Sequence, residues 1–151
     1  MSTFDAPARA PIDHVVDLRR DFHRHPELAF QERETAYDGV GSGVVGRLEA
    51  GPADGPVVAV RAEMDALPGS ETTELPFASE IPDRMHTCGH DAHMAMVLGA
   101  AATLADDPPD GTVVFVFQPA EESGGGARTV LDSGHLDDVD AIFALHVTRH
   151  Y

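Results

Sequence analysis

Residues 112–122 read Thr-Val-Val-Phe-Val-Phe-Gln-Pro-Ala-Glu-Glu, and this stretch decides the fold. Thr112–Phe117 is an unbroken apolar run, as a strand is when both of its faces are covered. Working outward, Gly41–Leu48 and Pro56–Ala62 also read as strands. The turn Gly51-Pro52-Ala53-Asp54-Gly55 between them predicts an antiparallel pair. Ala141–Val147 reads as a last buried strand. Ile12, Val15, Val16, Arg19 and Phe22 recur at helical spacing after Pro11, and that helix should end near His25-Pro26. A short helix is expected over Gln31–Tyr37, a longer one from Gly89 to Leu104, and another from Gly124–Gly126 through Leu131. Residues 63–85, with three prolines, read as a long loop. Strands alternating with helices imply an α/β fold whose sheet is mixed and partly parallel.

Composition narrows the function. The chain of 151 residues has room for one domain, and its 42% apolar content is ordinary for a folded protein. Asp and Glu number 26 against 10 basic residues, all arginine, for a net charge of −16. Such a charge repels nucleic acid and anionic membranes, so neither is an expected partner. The missing lysine and the acidic excess fit a halophilic protein, in which salt screens the self-repulsion. A merely solvated acidic face is the plainer reading. No apolar run approaches the roughly 20 residues that span a bilayer, and Met1–Ala10 lacks the apolar core of a signal peptide. A single cysteine fits a reducing compartment, and a cytoplasmic location is expected.

Residues 86–93, His-Thr-Cys-Gly-His-Asp-Ala-His, crowd three imidazoles, a thiol and a carboxylate into one segment. These are soft and borderline metal ligands. Three further polar clusters follow the carboxyl ends of expected strands: Glu63 and Asp65, Glu121 and Glu122, and His146. Open α/β sheets bind ligands there, so four segments distant in sequence can converge on one site. Cys88, His90, Glu122 and His146 then suit zinc, manganese, cobalt or nickel. Two such ions would lower the pKa of water and clamp a carbonyl oxygen. That leaves Glu121 free as general base, and Asp65 placed to hold a ligand imidazole.

Each residue also has a plainer reading. Cys88 fits an inert buried thiol, or a nucleophile activated at a helix N-terminus. Glu121-Glu122 fits a solvated charge pair, and His146 a satisfied core histidine. His86 and His93 fit a supporting role around the site, substrate contact or packing. His23, His25, His135 and His150 read as surface or structural groups.

Five ordered motifs carry a resemblance: residues 17–28 (Asp-Leu-Arg-Arg-Asp-Phe-His-Arg-His-Pro-Glu-Leu), 64–68 (Met-Asp-Ala-Leu-Pro), 85–93 (Met-His-Thr-Cys-Gly-His-Asp-Ala-His), 117–122 (Phe-Gln-Pro-Ala-Glu-Glu) and 145–147 (Leu-His-Val). Together they resemble the amidohydrolase branch of the aminoacylase/carboxypeptidase metallopeptidases, which includes hippurate hydrolase and indole-acetic-acid–amino-acid hydrolases. The resemblance covers nearly the whole chain. It implies a three-layer zinc-peptidase-like catalytic domain, of which residues 1–151 form the N-terminal part. It also implies two divalent metal ions and cleavage of an N-acyl-amino-acid amide. By motif position Cys88, His90, Glu122 and His146 match metal ligands, Glu121 the catalytic base and Asp65 the supporting acid. Glu63-Met64-Asp65 stands where other branches carry His-x-Asp.

Against the family pattern the chain is short. A lid and dimerisation domain, the rest of the catalytic domain, a further histidine ligand, and residues between the equivalents of Tyr37 and Gly39 have no counterpart. The expected partners are therefore a small N-acyl-amino-acid substrate and a complementing C-terminal half or further copies of the chain. A non-catalytic metal-binding remnant and a hydrolase with Cys88 as nucleophile are the competing functions.

Overall fold

Residues 12–33, 35 and 43–148 are described by the structure, a computed structural model. The apolar run observed at 111–118 lies inside the sheet. This strand, β5 (Gly111–Gln118), is antiparallel to β1 (Val44–Ala50) on one side and parallel to β2 (Val57–Glu63) on the other. A further parallel strand, β6 (Ala141–Ala144), pairs with β2, so the order is β1-β5-β2-β6. Two short strands, β3 (Leu67–Pro68) and β4 (Arg84–Met85), form a separate ribbon in the 63–85 connection.

Because side chains alternate along a strand, β5 feeds two cores at once. Val113 and Phe115 join Ala62 and Met64 beneath α2 (His90–Asp106), where they meet Met94 and Val97, with Phe22 of α1 (Ile12–Arg24) at the margin. Val114 and Val116 point the other way, towards Val130 of α3 (Gly126–Asp132), joined by Ala59. Each fully buried valine, phenylalanine or methionine among them contributes roughly 1.5–3 kcal/mol. The result is three layers, with α1 packed on α2. Gly99 permits that packing, since a Cβ there would lie 2.9 Å from Val15 Cγ2.

Four expectations need amendment. β1 and β2 are not a hairpin: the 51–55 turn connects them, but β5 lies between, hydrogen-bonded to both. A strand apolar on both faces gains most by having a neighbour on each side, and a five-residue turn spans the extra strand spacing. The last strand is not buried. Ile142 is 55% and Phe143 62% exposed, because β6 pairs with β2 alone and no described helix covers it. It also stops at Ala144, short of the expected Val147. Finally, residues 31–33 are irregular instead of helical, with Glu32 drawn inside to accept the Ala120 N–H at 2.9 Å. The rest of the Gln31–Tyr37 expectation, apart from residue 35, lies outside the described residues, as does Pro11.

Candidate metal centre

The carboxyl ends of β2 and β5 and the amino end of α2 meet at one place. β2 runs directly into Glu63-Met64-Asp65, and β5 into Pro119-Ala120-Glu121-Glu122. Between them Cys88 and Gly89 lead into α2. Gly89 has φ 92°, and a Cβ there would lie 2.4 Å from Val147 Cγ2. Only glycine serves, since the left-handed turn that aims Cys88 and the contact that seats the 145–148 tail occur at the same atom.

His90 is the best-defined member. Its Nδ1 is 2.7 Å from the Asp65 carbonyl oxygen, which can only accept, so Nδ1 carries the proton. The Nε2 lone pair is thereby presented to Glu121 Oε2 and Glu122 Oε1, each 3.9 Å away. Burial opposes protonation of His90, but Asp65 and the charge of Glu63 outweigh it and raise its pKa. Asp65 is itself fully buried. Its Oδ2 accepts the Glu122 backbone N–H at 2.9 Å, while Oδ1 has no hydrogen-bond partner among the described residues. Burial raises the Asp65 pKa less than His90 and the Glu122 and Glu121 amides lower it, so the carboxylate stays ionised.

The donor atoms of Cys88, His90 and Glu122 all lie within 4.8 Å of one another. Ligands of a tetrahedral ion, bound at 2.0–2.3 Å, stand roughly 3.3–3.8 Å apart, so this set fits a metal with small adjustment. Charge agrees with spacing: the carboxylates of Glu122, Glu121 and Glu63 all act on the thiol. Burial, then the hydrogen bond to Glu122 and the charges of Glu122, Glu121 and Glu63, push Cys88 up to about 11. A thiol held there is a poor nucleophile at neutral pH, whereas a cation would reverse the field.

A second donor set, Glu63, His90 and His93, is as close-packed, but its chemistry is already spent. His93 Nε2 accepts the Val147 N–H at 3.0 Å, so its Nδ1 bears the proton and donates to Glu63 Oε2 at 2.7 Å. The other Glu63 oxygen is bonded by Arg61, whose guanidinium also holds the Gln118 side chain at 2.8 Å and 3.0 Å. This closed network is the support under the site.

Of the residues singled out from sequence, Cys88, His90 and Glu122 come together, with Glu121 and Asp65 against His90. His146 reaches the same cleft, a cavity of about 490 Å³ that it lines with Cys88, His86 and Arg19. Its ring packs edge-on to His93 at 5.0 Å, outside both donor sets among the described residues. The roles of Glu63 and His93 as a buried pair were not visible in the sequence. Their only signals were the two-residue step from Glu63 to Asp65 and the three-residue step from His90 to His93.

Comparison with known proteins places the chain in a family. The model of peptidase family M20/M25/M40 matches residues 59–150. The chain is 45% identical to N-acetylcysteine deacetylase of Bacillus subtilis, over 87% of this chain and 39% of that protein. It is 46% identical to an IAA-amino acid hydrolase of Arabidopsis thaliana, over 91% of this chain and 35% of that one. A crystal structure of a dinuclear metal-binding M20 peptidase from Bacillus subtilis superposes with a TM-score of 0.85 at 44% identity. That match covers 90% of this chain and 43% of the other. The chain thus spans about two fifths of the length of these relatives.

Proposed function

The chain belongs to peptidase family M20/M25/M40, and on that premise we propose that it carries the metal-binding half of an amidohydrolase acting on N-acyl-amino acids. The observation that carries this reading is the convergence of Cys88, His90 and Glu122 within 4.8 Å at the carboxyl end of the sheet. Cys88, His90 and Glu122, with His146 from the adjoining tail, would hold two divalent ions. The mixed sulfur, nitrogen and oxygen donors suit zinc, manganese, cobalt or nickel. When bound, the ions supply Lewis acidity towards an amide carbonyl and towards water.

The protein's own groups do the rest. Glu121, with a side chain 40% exposed and Oε2 3.9 Å from His90 Nε2, is placed to take a proton from entering water and pass it to the leaving nitrogen. Asp65 fixes both neighbours of that carboxylate, holding the Glu122 backbone through Oδ2 and the His90 ring through its carbonyl oxygen. The Glu63–His93 pair seats the tail that brings His146 to the cleft.

A second reading, metal binding without turnover, is favoured by the bare apolar surface of Ile142 and Phe143 on β6. On that reading a complementing polypeptide covers β6 and completes the enzyme. The acidic composition supports a high-salt setting, and the lone cysteine a reducing, cytoplasmic one. Release of free amino acid from N-acyl-amino acids by the metal-loaded chain, abolished in Glu121→Gln, supports turnover by this chain. Bound metal with no release supports the second reading. Activity that survives chelation and is lost in Cys88→Ser overturns both.

A further inference from the structure

The motif at residues 17–28 takes no part in the chemistry above, yet it contacts the site from two directions. At its helical end His23, 6% exposed, is the buried residue of α1. His23 Nδ1 lies 2.7 Å from Asp91 Oδ2, and Nε2 lies 3.1 Å from Glu71 Oε1. Both partners are carboxylates, so both ring nitrogens donate. Arg19 Nε reaches the same Asp91 oxygen at 2.8 Å. Asp91 follows His90 directly and sits in the first turn of α2, where a negative charge suits the helix dipole. At its other end the motif holds the loop that orients the His90 ring. The Glu27 carbonyl accepts the Ala66 N–H at 2.8 Å, and Leu28 pairs with Ala66, the residue after Asp65.

We propose that His23 is a positioning residue, which clamps Asp91 to Glu71 and thereby sets the first turn of α2 that carries His90. This rests on the reading of Cys88, His90 and Glu122 as a metal site. The charge balance supports it. Two buried carboxylates, Asp91 and Glu71, face two cations, Arg19 and a doubly protonated His23, and only that protonation state leaves the cluster neutral. The Asp91 bond, more than opposing burial, raises the His23 pKa in the same sense. Glu71 is in turn tied into its loop by the Ser79 N–H at 2.7 Å and by Thr73. Phe77 closes the cluster, edge-on to His23 at 5.6 Å and beneath the Arg19 guanidinium at 5.1 Å. His23 is therefore fixed at both nitrogens and on one ring face, as a part that transmits position must be.

The two ring nitrogens can be separated by substitution. His23→Asn keeps a donor near the Nδ1 position and the Asp91 bond, and His23→Gln keeps one near Nε2 and the Glu71 bond. The chain and both variants are titrated with Co²⁺ alone, following d–d absorption, and hydrogen exchange of amides 90–94 is measured metal-free. His23→Gln should bind Co²⁺ roughly tenfold more weakly, with an altered d–d band and faster exchange, on the scale found for partners of metal ligands. His23→Asn, which loses only the Glu71 bond, should shift in the same direction, with faster exchange at 90–94 and Co²⁺ binding weakened by no more than about threefold. Equal behaviour of the two variants, or unchanged exchange in a folded His23→Gln, overturns the clamp. If His23→Gln does not fold, Glu71→Gln carries the test: faster exchange at 90–94 supports the clamp and unchanged exchange overturns it. If the unsubstituted chain binds no Co²⁺, the metal reading fails, while the exchange data still decide whether His23 positions the turn.

Discussion

His93 donates through Nδ1 to Glu63 at 2.7 Å, joining the first turn of α2 to the end of β2 inside the protein. His93 is wholly buried and Glu63 nearly so, and the ring's other nitrogen holds the Val147 amide. Burial opposes ionisation of Glu63, but His93, then Arg61 and His90, keep its carboxyl below the usual range. Glu63→Gln removes the charge that satisfies both donors and should cost about 1–3 kcal/mol. Urea unfolding measures the loss, and hydrogen exchange at 145–148 should accelerate in the same variant. An unchanged midpoint would show that the pair holds nothing together.

The His23 cluster has a pH signature of definite sign. The folded-state pKa of His23 is raised above its ordinary 6.5, so its contribution is fully present below pH 6.5 and is lost as pH rises through the folded value. The groups facing it are Asp91, Glu71, Arg19 and His86. Asp91 and Glu71 are held below the usual carboxylate range despite burial, so they stay charged throughout that window. The metal-free chain should therefore lose stability on going alkaline from pH 6.5, and His23→Asn should lose less. Chemical denaturation across that interval, comparing slopes, decides it.

Much of this architecture is legible in the sequence, and the illegible part has a common cause. β5 is readable because Val113–Phe117 has no polar interruption, and α2 because it starts after Cys88-Gly89 and ends as the Asp106-Asp107-Pro108-Pro109 break begins. Cys88 and His90 are two residues apart, so their convergence needs no folding. Strand neighbours are different: nothing in 44–50 or 57–63 says that 111–118 will come between them. The His93–Glu63 bond spans 30 residues and the His23–Asp91 bond 68, and both depend on packing that no local pattern encodes. The exposure of β6 is equally hidden, since Ile142 and Phe143 are as apolar when bare as when covered.

A net charge of −16 on 151 residues makes stability depend on salt. At low ionic strength the acidic surface repels itself, and the Debye length falls from about 10 Å at 0.1 M to about 3 Å at 1 M. The thermal midpoint of the metal-free chain should rise steadily between those concentrations of sodium chloride. A midpoint that is flat or falls would remove the case for a high-salt setting.

Near-ultraviolet absorption of the chain during titration with Co²⁺ tests the metal centre most directly. A thiolate-to-cobalt charge-transfer band should appear, saturate with added metal and be absent from Cys88→Ser, because Cys88 shares a donor set with His90 and Glu122. No such band in the unsubstituted chain, or an identical band in Cys88→Ser, would contradict it.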